Sequence, residues 1–280
     1  MAELILSAFA DEYSDNFDEQ LSALAGFGIR NIELRHADGK NISEMSREDI
    51  RGLKRRLDAS GIAVSSIGSP LGKISIDGDV DAHIELAKRI FESARTLGTN
   101  KVRMFSFYIP EGDDPSGHRC TVLSSLERMV RAAEEYDILL CHENEAKIYG
   151  ESPERCLDIL KYFDGKIKAV FDMGNFVLDG YKPYPDAYNL LYPYIEYFHI
   201  KDSLYAGAIV PAGCGEASIK EILDDYKARS DRDTYITLEP HLQTFAGLNA
   251  LVGKSFDNPY KYVDQRAAFT DAVEKLKGIS

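Results

Sequence analysis

The sequence predicts an α/β protein, a closed (β/α)8 barrel of parallel strands in a single domain over residues 1–280. Three observations carry this. Short apolar runs alternate with amphipathic stretches eight times along the chain. The distance from one run to the next leaves room for a crossover helix, which parallel strands require. The 280 residues match the roughly 250 typical of such barrels and leave no excess for a second domain. Eight repeats also favour closure over an open doubly wound sheet.

Strands are expected at 4–10 (LILSAFA), 31–35 (NIELR), 63–68 (AVSSIG), 101–107 (KVRMFSF), 138–143 (ILLCHE), 167–172 (IKAVFD), 195–200 (IEYFHI) and 235–239 (YITLE). Helices are expected at about 15–26, 46–59, 79–97, 118–135, 153–163, 184–192, 218–229 and 264–277. Ser46, three residues ahead of Asp49, reads as a capped helix start, and Ser152-Pro153 sets an N-cap before a first-turn proline. Gly28, Gly61 and Gly98 each fall between a helix and the next strand, where a left-handed C-cap is needed. The segment 240–263 lacks periodicity and exceeds an ordinary βα loop. Its Phe245, Leu248, Leu251, Val252 and Phe256 suggest a cover over the barrel mouth or a contact between subunits.

Composition narrows the function classes. The formal net charge of −13 disfavours a nucleic-acid partner. No apolar stretch approaches the roughly 18 residues of a membrane span, and the start MAELILSAFADE lacks a basic leader, so a cytoplasmic location is expected. Cys120, Cys141, Cys156 and Cys214 are scattered and form neither a disulfide framework nor a thiolate zinc site.

Four side chains that seek metals end apolar runs in the second half of the chain: Glu143, Asp172, His199 and Glu239, separated by 29, 27 and 40 residues. A single acid at a strand end is usually a solvated loop residue or a cap. Four at successive strand ends are another matter, because barrel enzymes gather these ends at one mouth and buried carboxylates need a compensating cation. Three oxygen donors and one imidazole describe a divalent-metal site, with Mn²⁺ favoured and Mg²⁺, Co²⁺ or Zn²⁺ as alternatives. By strand alternation Cys141, Glu143 and Glu145 share a face, as do Tyr197, His199 and Lys201, and Tyr235, Thr237, Glu239 and His241. His142 faces away from Glu143 and reads as a packed histidine.

LCHENE (140–145), VFDMGN (170–175), FHIKD (198–202), VPAGCGEASIKEIL (210–223) and ITLEP (236–240), with a weaker match at NIELRH (31–36), make the chain resemble the sugar isomerase/epimerase group of the xylose isomerase-like TIM barrels, which also includes AP endonucleases. The resemblance covers essentially the whole chain. It implies that Glu143, Asp172, His199 and Glu239 bind one divalent cation and that Glu143 and Glu239 also move protons. A cation holding the carbonyl and adjacent hydroxyl of a ketose would acidify the intervening C–H and stabilise an enediolate, one carboxylate removing the proton and the other returning one.

Lys201 and Asp202 follow His199 in this match, and Lys201 is expected to point into the mouth rather than lie on the surface. Gly213-Cys214-Gly215-Glu216 forms a G-x-G turn before a helix, either a backbone cradle for an anion or hydroxyl or simply a tight turn. Arg35, which shares a face with Glu33, either meets substrate or neutralises Glu33. Lys201, Asp202, Arg35, Glu216 and His241 are thus the expected substrate contacts. Asn175 departs from the ketose epimerases, which place a substrate-contacting histidine there.

The expected function is a divalent-metal-dependent isomerase or epimerase acting on a small sugar, keto-sugar or polyol derivative. A dehydratase or lyase, of the inosose or dehydroshikimate type or cleaving C-glycosides, uses the same opening step. An AP endonuclease assembles its metal cluster with several further histidines, whereas only His199 of the six here stands at a ligand position, and a non-catalytic partner subunit would not need the Glu143/Glu239 pair. A homo-oligomer is compatible with this sequence.

Overall fold

The computed structural model describes residues 2–243 and 260–280. Eight strands form one sheet: β1 (Leu4–Ala8), β2 (Asn31–Leu34), β3 (Ala63–Ile67), β4 (Lys101–Met104), β5 (Leu139–Glu143), β6 (Ile167–Asp172), β7 (Ile195–Ile200) and β8 (Thr234–Leu238). From β2 to β8 each strand pairs in parallel with the next, and β8 pairs with β1, so the order around the sheet is the order along the chain. Among the described residues no ladder joins β1 to β2. Side chains bridge that seam: Asn31 Nδ2 donates to the Leu6 carbonyl at 3.2 Å. The result is a nearly closed TIM barrel, with α1 (Phe17–Gly26), α2 (Arg47–Ser60), α3 (Val80–Leu97), α4 (Arg119–Glu135), α5 (Pro153–Phe163), α6 (Met173–Leu178), α7 (Tyr188–Leu191), α8 (Ile219–Arg229) and α9 (Gln265–Ile279) among its connections.

Local chemistry explains the helix boundaries. Ser46 and Asp49 form a reciprocal capping box, and Ser152 accepts the N–H of Arg155. Gly61 and Gly98 end α2 and α3 with φ of 67° and 92°, the left-handed cap that glycine adopts without steric cost. Three expectations shift. The first strand stops at Ala8 and turns into a short 3-10 helix, Ala10–Glu12. The fourth stops at Met104 because the Phe105 N–H leaves the sheet for the Leu71 carbonyl. The helix expected at 184–192 is only a π turn, Pro183–Ala187, followed by the single α turn of α7, since Pro183 and Pro185 offer no N–H. Most of the long segment 240–263, with Phe245, Leu248, Leu251, Val252 and Phe256, lies outside the described residues.

The main apolar core lies between strands and helices, and the barrel interior is comparatively polar. Ser7 and Ser65 hydroxyls meet at 2.7 Å, and Ser66 bonds the Tyr197 hydroxyl at 3.1 Å. Two irregularities set what faces inward. Between Ala169 and Val170 the pairing with β7 shifts by one residue, so that Asp172 stands beside His199. Without that shift Asp172 would pair with Phe198, and the two functional side chains would face opposite sides of the sheet. A similar shift after Ile32 sets Glu33 beside Ser66. No helix among the described residues is long and apolar enough to cross a membrane.

His83 on α3 gives the fold an acid-sensitive point. It is buried, and its Nε2 accepts the Gly72 N–H at 2.7 Å, which only the neutral ring can do. Burial lowers its pKa below 6.5. Because the unfolded chain binds the proton more readily, the stability from His83 is full above about pH 6.5 and is lost as the pH falls through the folded value. The urea midpoint of His83→Gln, which keeps an acceptor, should therefore fall less between pH 6.5 and 5 than that of the wild type. Parallel pH profiles would exclude this role.

Candidate active site and metal centre

Strand ends bring the four metal-seeking side chains together. Glu143 and Asp172 are the last residues of β5 and β6, His199 lies near the end of β7, and Glu239 directly follows β8. All four are buried, and one ligand atom from each lies within 4.8 Å of the others. His199 Nδ1 faces Glu143 Oε1 at 2.9 Å and Glu239 Oε2 at 3.2 Å, while its Nε2 faces Glu33 Oε2 at 3.1 Å. Glu33 in turn accepts the Tyr197 hydroxyl at 2.9 Å. A carboxylate on the far nitrogen is the arrangement that orients a metal-binding imidazole, leaving Nδ1 toward the cluster.

Asp172 is held from behind. Asn144 accepts its N–H at 3.0 Å and donates to its carbonyl at 2.9 Å, and the Asn175 N–H donates to Asp172 Oδ1 at 2.8 Å. The Asn175 side chain donates to the Asn144 carbonyl at 2.9 Å and accepts from Lys201 at 3.1 Å. The asparagine that departs from the ketose epimerases is thus bound into the support of Asp172. Lys201 is buried and points inward, 2.9 Å from Asp172 Oδ2 and 3.2 Å from Glu239 Oε2. Gly174 permits this approach, because a Cβ there would come within 2.7 Å of the Lys201 carbonyl.

Arg35 does not pair with Glu33. Its guanidinium lies 2.8 Å from Asp11, 3.3 Å from Glu12 and 3.0 Å from Glu239. It stacks on Phe9, whose ring also lies near Arg103. Arg103 Nη1 is 3.1 Å from Glu143 Oε2 and 3.6 Å from Glu239 Oε1. The His241 N–H donates to Glu12 at 2.7 Å, and its ring lies 3.4 Å from Glu239. Asp202 is buried beyond Lys201 and accepts from backbone N–H groups, while Glu216 is exposed on the rim, where it accepts the Tyr205 N–H at 2.8 Å. His142 is packed behind the strand, 3.0 Å from the Ser106 hydroxyl.

Asp11, Glu12, Arg103, Asn144 and the role of Glu33 toward His199 were not anticipated from the sequence. Arg103 had a readable signal, since a lone arginine inside a buried apolar run requires an internal counter-charge. The others depend on long-range contacts.

Burial opposes ionisation throughout the cluster, and charge decides the outcome. His199 and Arg103 outweigh burial at Glu143 and hold its carboxyl at about 2. Lys201, His241 and His199 do the same for Glu239, well below the ordinary range. Burial prevails at Asp172, pushed up to about 7 against the pull of Lys201, and at Glu12, pushed up to about 8 against Arg35. Six buried carboxylates here (Asp11, Glu12, Glu33, Glu143, Asp172 and Glu239) face only three buried permanent cations, Arg35, Arg103 and Lys201. Glu143 Oε2 and Glu239 Oε2 are buried with cations 3.1 and 3.2 Å away but accept no well-directed hydrogen bond. Carboxyl groups in excess of permanent cations, and two carboxylate oxygens without a directed donor, fit a divalent cation among these ligands.

Comparisons agree on the architecture. No curated protein sequence matches the chain. D-allulose 3-epimerase from Methylomonas sp. superposes with a TM-score of 0.76 at 15% identity, each chain covered completely. The probable 3-DHS dehydratase AsbF from Bacillus anthracis gives 0.69 at 19% identity, over 85% of this chain and 92% of that one. A xylose isomerase-like TIM barrel protein from Mycobacterium smegmatis, in complex with magnesium, gives 0.70 at 16% identity, over 100% of this chain and 95% of that one. The family model described as xylose isomerase-like TIM barrel matches residues 21–257, and the chain belongs to that family.

Proposed function

We propose that the protein is a divalent-metal-dependent isomerase or epimerase of a small sugar, keto-sugar or polyol derivative. The observation that carries this is the pair Glu143 and Glu239, which reach the same His199 Nδ1 at 2.9 and 3.2 Å from different walls of the barrel. The ion would be held by Glu143, Asp172, His199 and Glu239, whose hard donors favour Mn²⁺, with Mg²⁺, Co²⁺ or Zn²⁺ as alternatives. When bound, it supplies polarisation of a carbonyl and its neighbouring hydroxyl, which acidifies the C–H between them.

Glu143 and Glu239 are both held as carboxylates, so each face of a bound substrate meets a proton acceptor. A proton lifted by one can be replaced from the other side once the second has taken a proton from solvent. Lys201, 3.2 Å from Glu239 and fixed by Asn175, would donate to a substrate oxygen on this reading. Arg35 and Arg103 keep the two glutamates ionised and in place. On this reading the partner is a small carbohydrate rather than a nucleic acid or a membrane, and the protein works in the cytoplasm. A dehydratase is the second reading, favoured by the engagement of Asn175 with Asp172 and Lys201 and by the likeness to the probable dehydratase.

Metal-supplemented protein mixed with keto-sugars and inososes in D2O, followed by NMR, is the test. Deuterium should enter at the carbon beside the carbonyl, and the absence of exchange across the panel with metal bound would reject the reading. One divalent ion per chain is expected by elemental analysis of stripped and reconstituted protein. Stoichiometric binding that survives His199→Ala combined with Asp172→Ala would place the ion elsewhere.

A further inference from the structure

Barrel enzymes that take phosphorylated substrates commonly hold the phosphate on loops after strands seven and eight, where backbone N–H groups converge near a helix N-terminus. In this chain the loop after β7 runs from Asp202 to Ser218, ahead of α8. Its N–H groups do converge, but on a carboxylate of the protein itself. Gly213 and Gly215 donate to Asp202 Oδ2 at 2.8 and 2.9 Å, and Ser203 and Ala217 donate to Oδ1 at 2.9 and 3.1 Å. A Cβ at Gly215 would overlap Asp202 Oδ1 and the Ser203 carbonyl, so the close approach itself demands glycine. Asp202 is only 2% exposed. Four donors fill the lone-pair sites of one carboxylate.

The neighbouring cations are also engaged. Arg35, Arg103 and Lys201 each face carboxylates, and Lys73 at the rim pairs with Glu145 at 2.9 Å. Among the described residues the mouth holds six buried carboxyl groups against three permanent cations, each already facing carboxylates, so it offers little positive charge to a further anion.

We infer that Asp202 determines specificity as a built-in anion seated in the barrel's phosphate cradle, so that the substrate is an uncharged polyol or keto-sugar without a phosphate or carboxylate at that end. This rests on the proposed reading of the mouth as a sugar site and narrows it, favouring neutral ketoses and inososes over sugar phosphates and dehydroshikimate.

The test is calorimetric titration of the whole protein with inorganic phosphate, both Mg²⁺-loaded and chelator-treated, so that the component common to both reports the cradle and not the metal. Wild type should show no saturable common component, whereas Asp202→Gly should bind phosphate at least tenfold more tightly. Formate should raise the melting temperature of the variant without affecting wild type, because it returns the missing carboxylate. Equal phosphate affinity in the two proteins, or a variant that responds to neither ion, would overturn the inference. If Asp202→Gly does not fold, titration of wild type with D-fructose 6-phosphate decides the matter: saturable binding refutes the inference, and its absence supports it. No turnover enters these measurements, so they can fail while deuterium exchange succeeds, and the reverse.

Discussion

Glu143→Gln and Glu239→Gln should each lower kcat by about 10²–10⁴-fold, the usual contribution of a positioned acid or base, while weakening substrate binding far less. Each replacement nearly preserves shape and removes the group that takes or returns the proton. Both residues also lie in the ligand cluster, so metal content must be measured in the same preparations. The two positions differ in their surroundings. Glu143 leans on Arg103 and His199, whereas Glu239 is touched by Arg35, Lys201, His199 and His241. The Glu239 variant should therefore disturb more of the mouth. If either variant kept more than about a tenth of wild-type kcat with metal bound, its proton-transfer role would be refuted.

The largest effect on stability is expected from Arg35→Met, a loss of about 3–5 kcal/mol, as for other buried ion pairs deprived of one partner. Methionine keeps much of the volume and the contact with Phe9 but leaves Asp11, Glu12 and Glu239 without their shared cation. Burial opposes ionisation of Asp11, and Arg35 outweighs it to hold that carboxyl below 3.8. Its contribution is thus present above the unfolded pKa and is lost as the pH falls through the folded value. The gap between wild type and variant, read from denaturant midpoints, should be wide at neutral pH and narrow below about pH 4. A loss under about 1 kcal/mol, typical of a surface pair, would mean that the guanidinium is not what holds these acids together.

Much of the barrel can be read in the chain because parallel strands are covered on both faces and appear as unbroken apolar runs. Glu143, Asp172, His199 and Glu239 stand out for the same reason, each being the polar residue at which such a run stops. Asp11 and Glu12 do not stand out, since ADE after a strand looks like a solvated turn until Arg35, more than twenty residues away, is brought against it. The shift between Ala169 and Val170 leaves no mark on composition, although it decides which way Asp172 faces relative to His199. Asn144 and Asn175 act through backbone groups of distant partners, which no local pattern encodes. Asp202 could be seen beside the G-x-G turn in sequence terms, but not that its carboxylate fills that turn.

The seam between β1 and β2 gives the acids of the mouth a mechanical meaning. Elsewhere around the barrel the wall is sewn by backbone ladders, which are indifferent to charge. At this one join it is clasped by an amide and, at the rim, by Arg35 gripping Asp11 and Glu12 from the opposite edge. The staves meet there through ions, and one hand of the clasp also holds Glu239. Anything that draws charge from Glu239 therefore pulls on the hoop of the barrel, and amide hydrogen exchange along β1 and β2 becomes a gauge of what occupies its mouth.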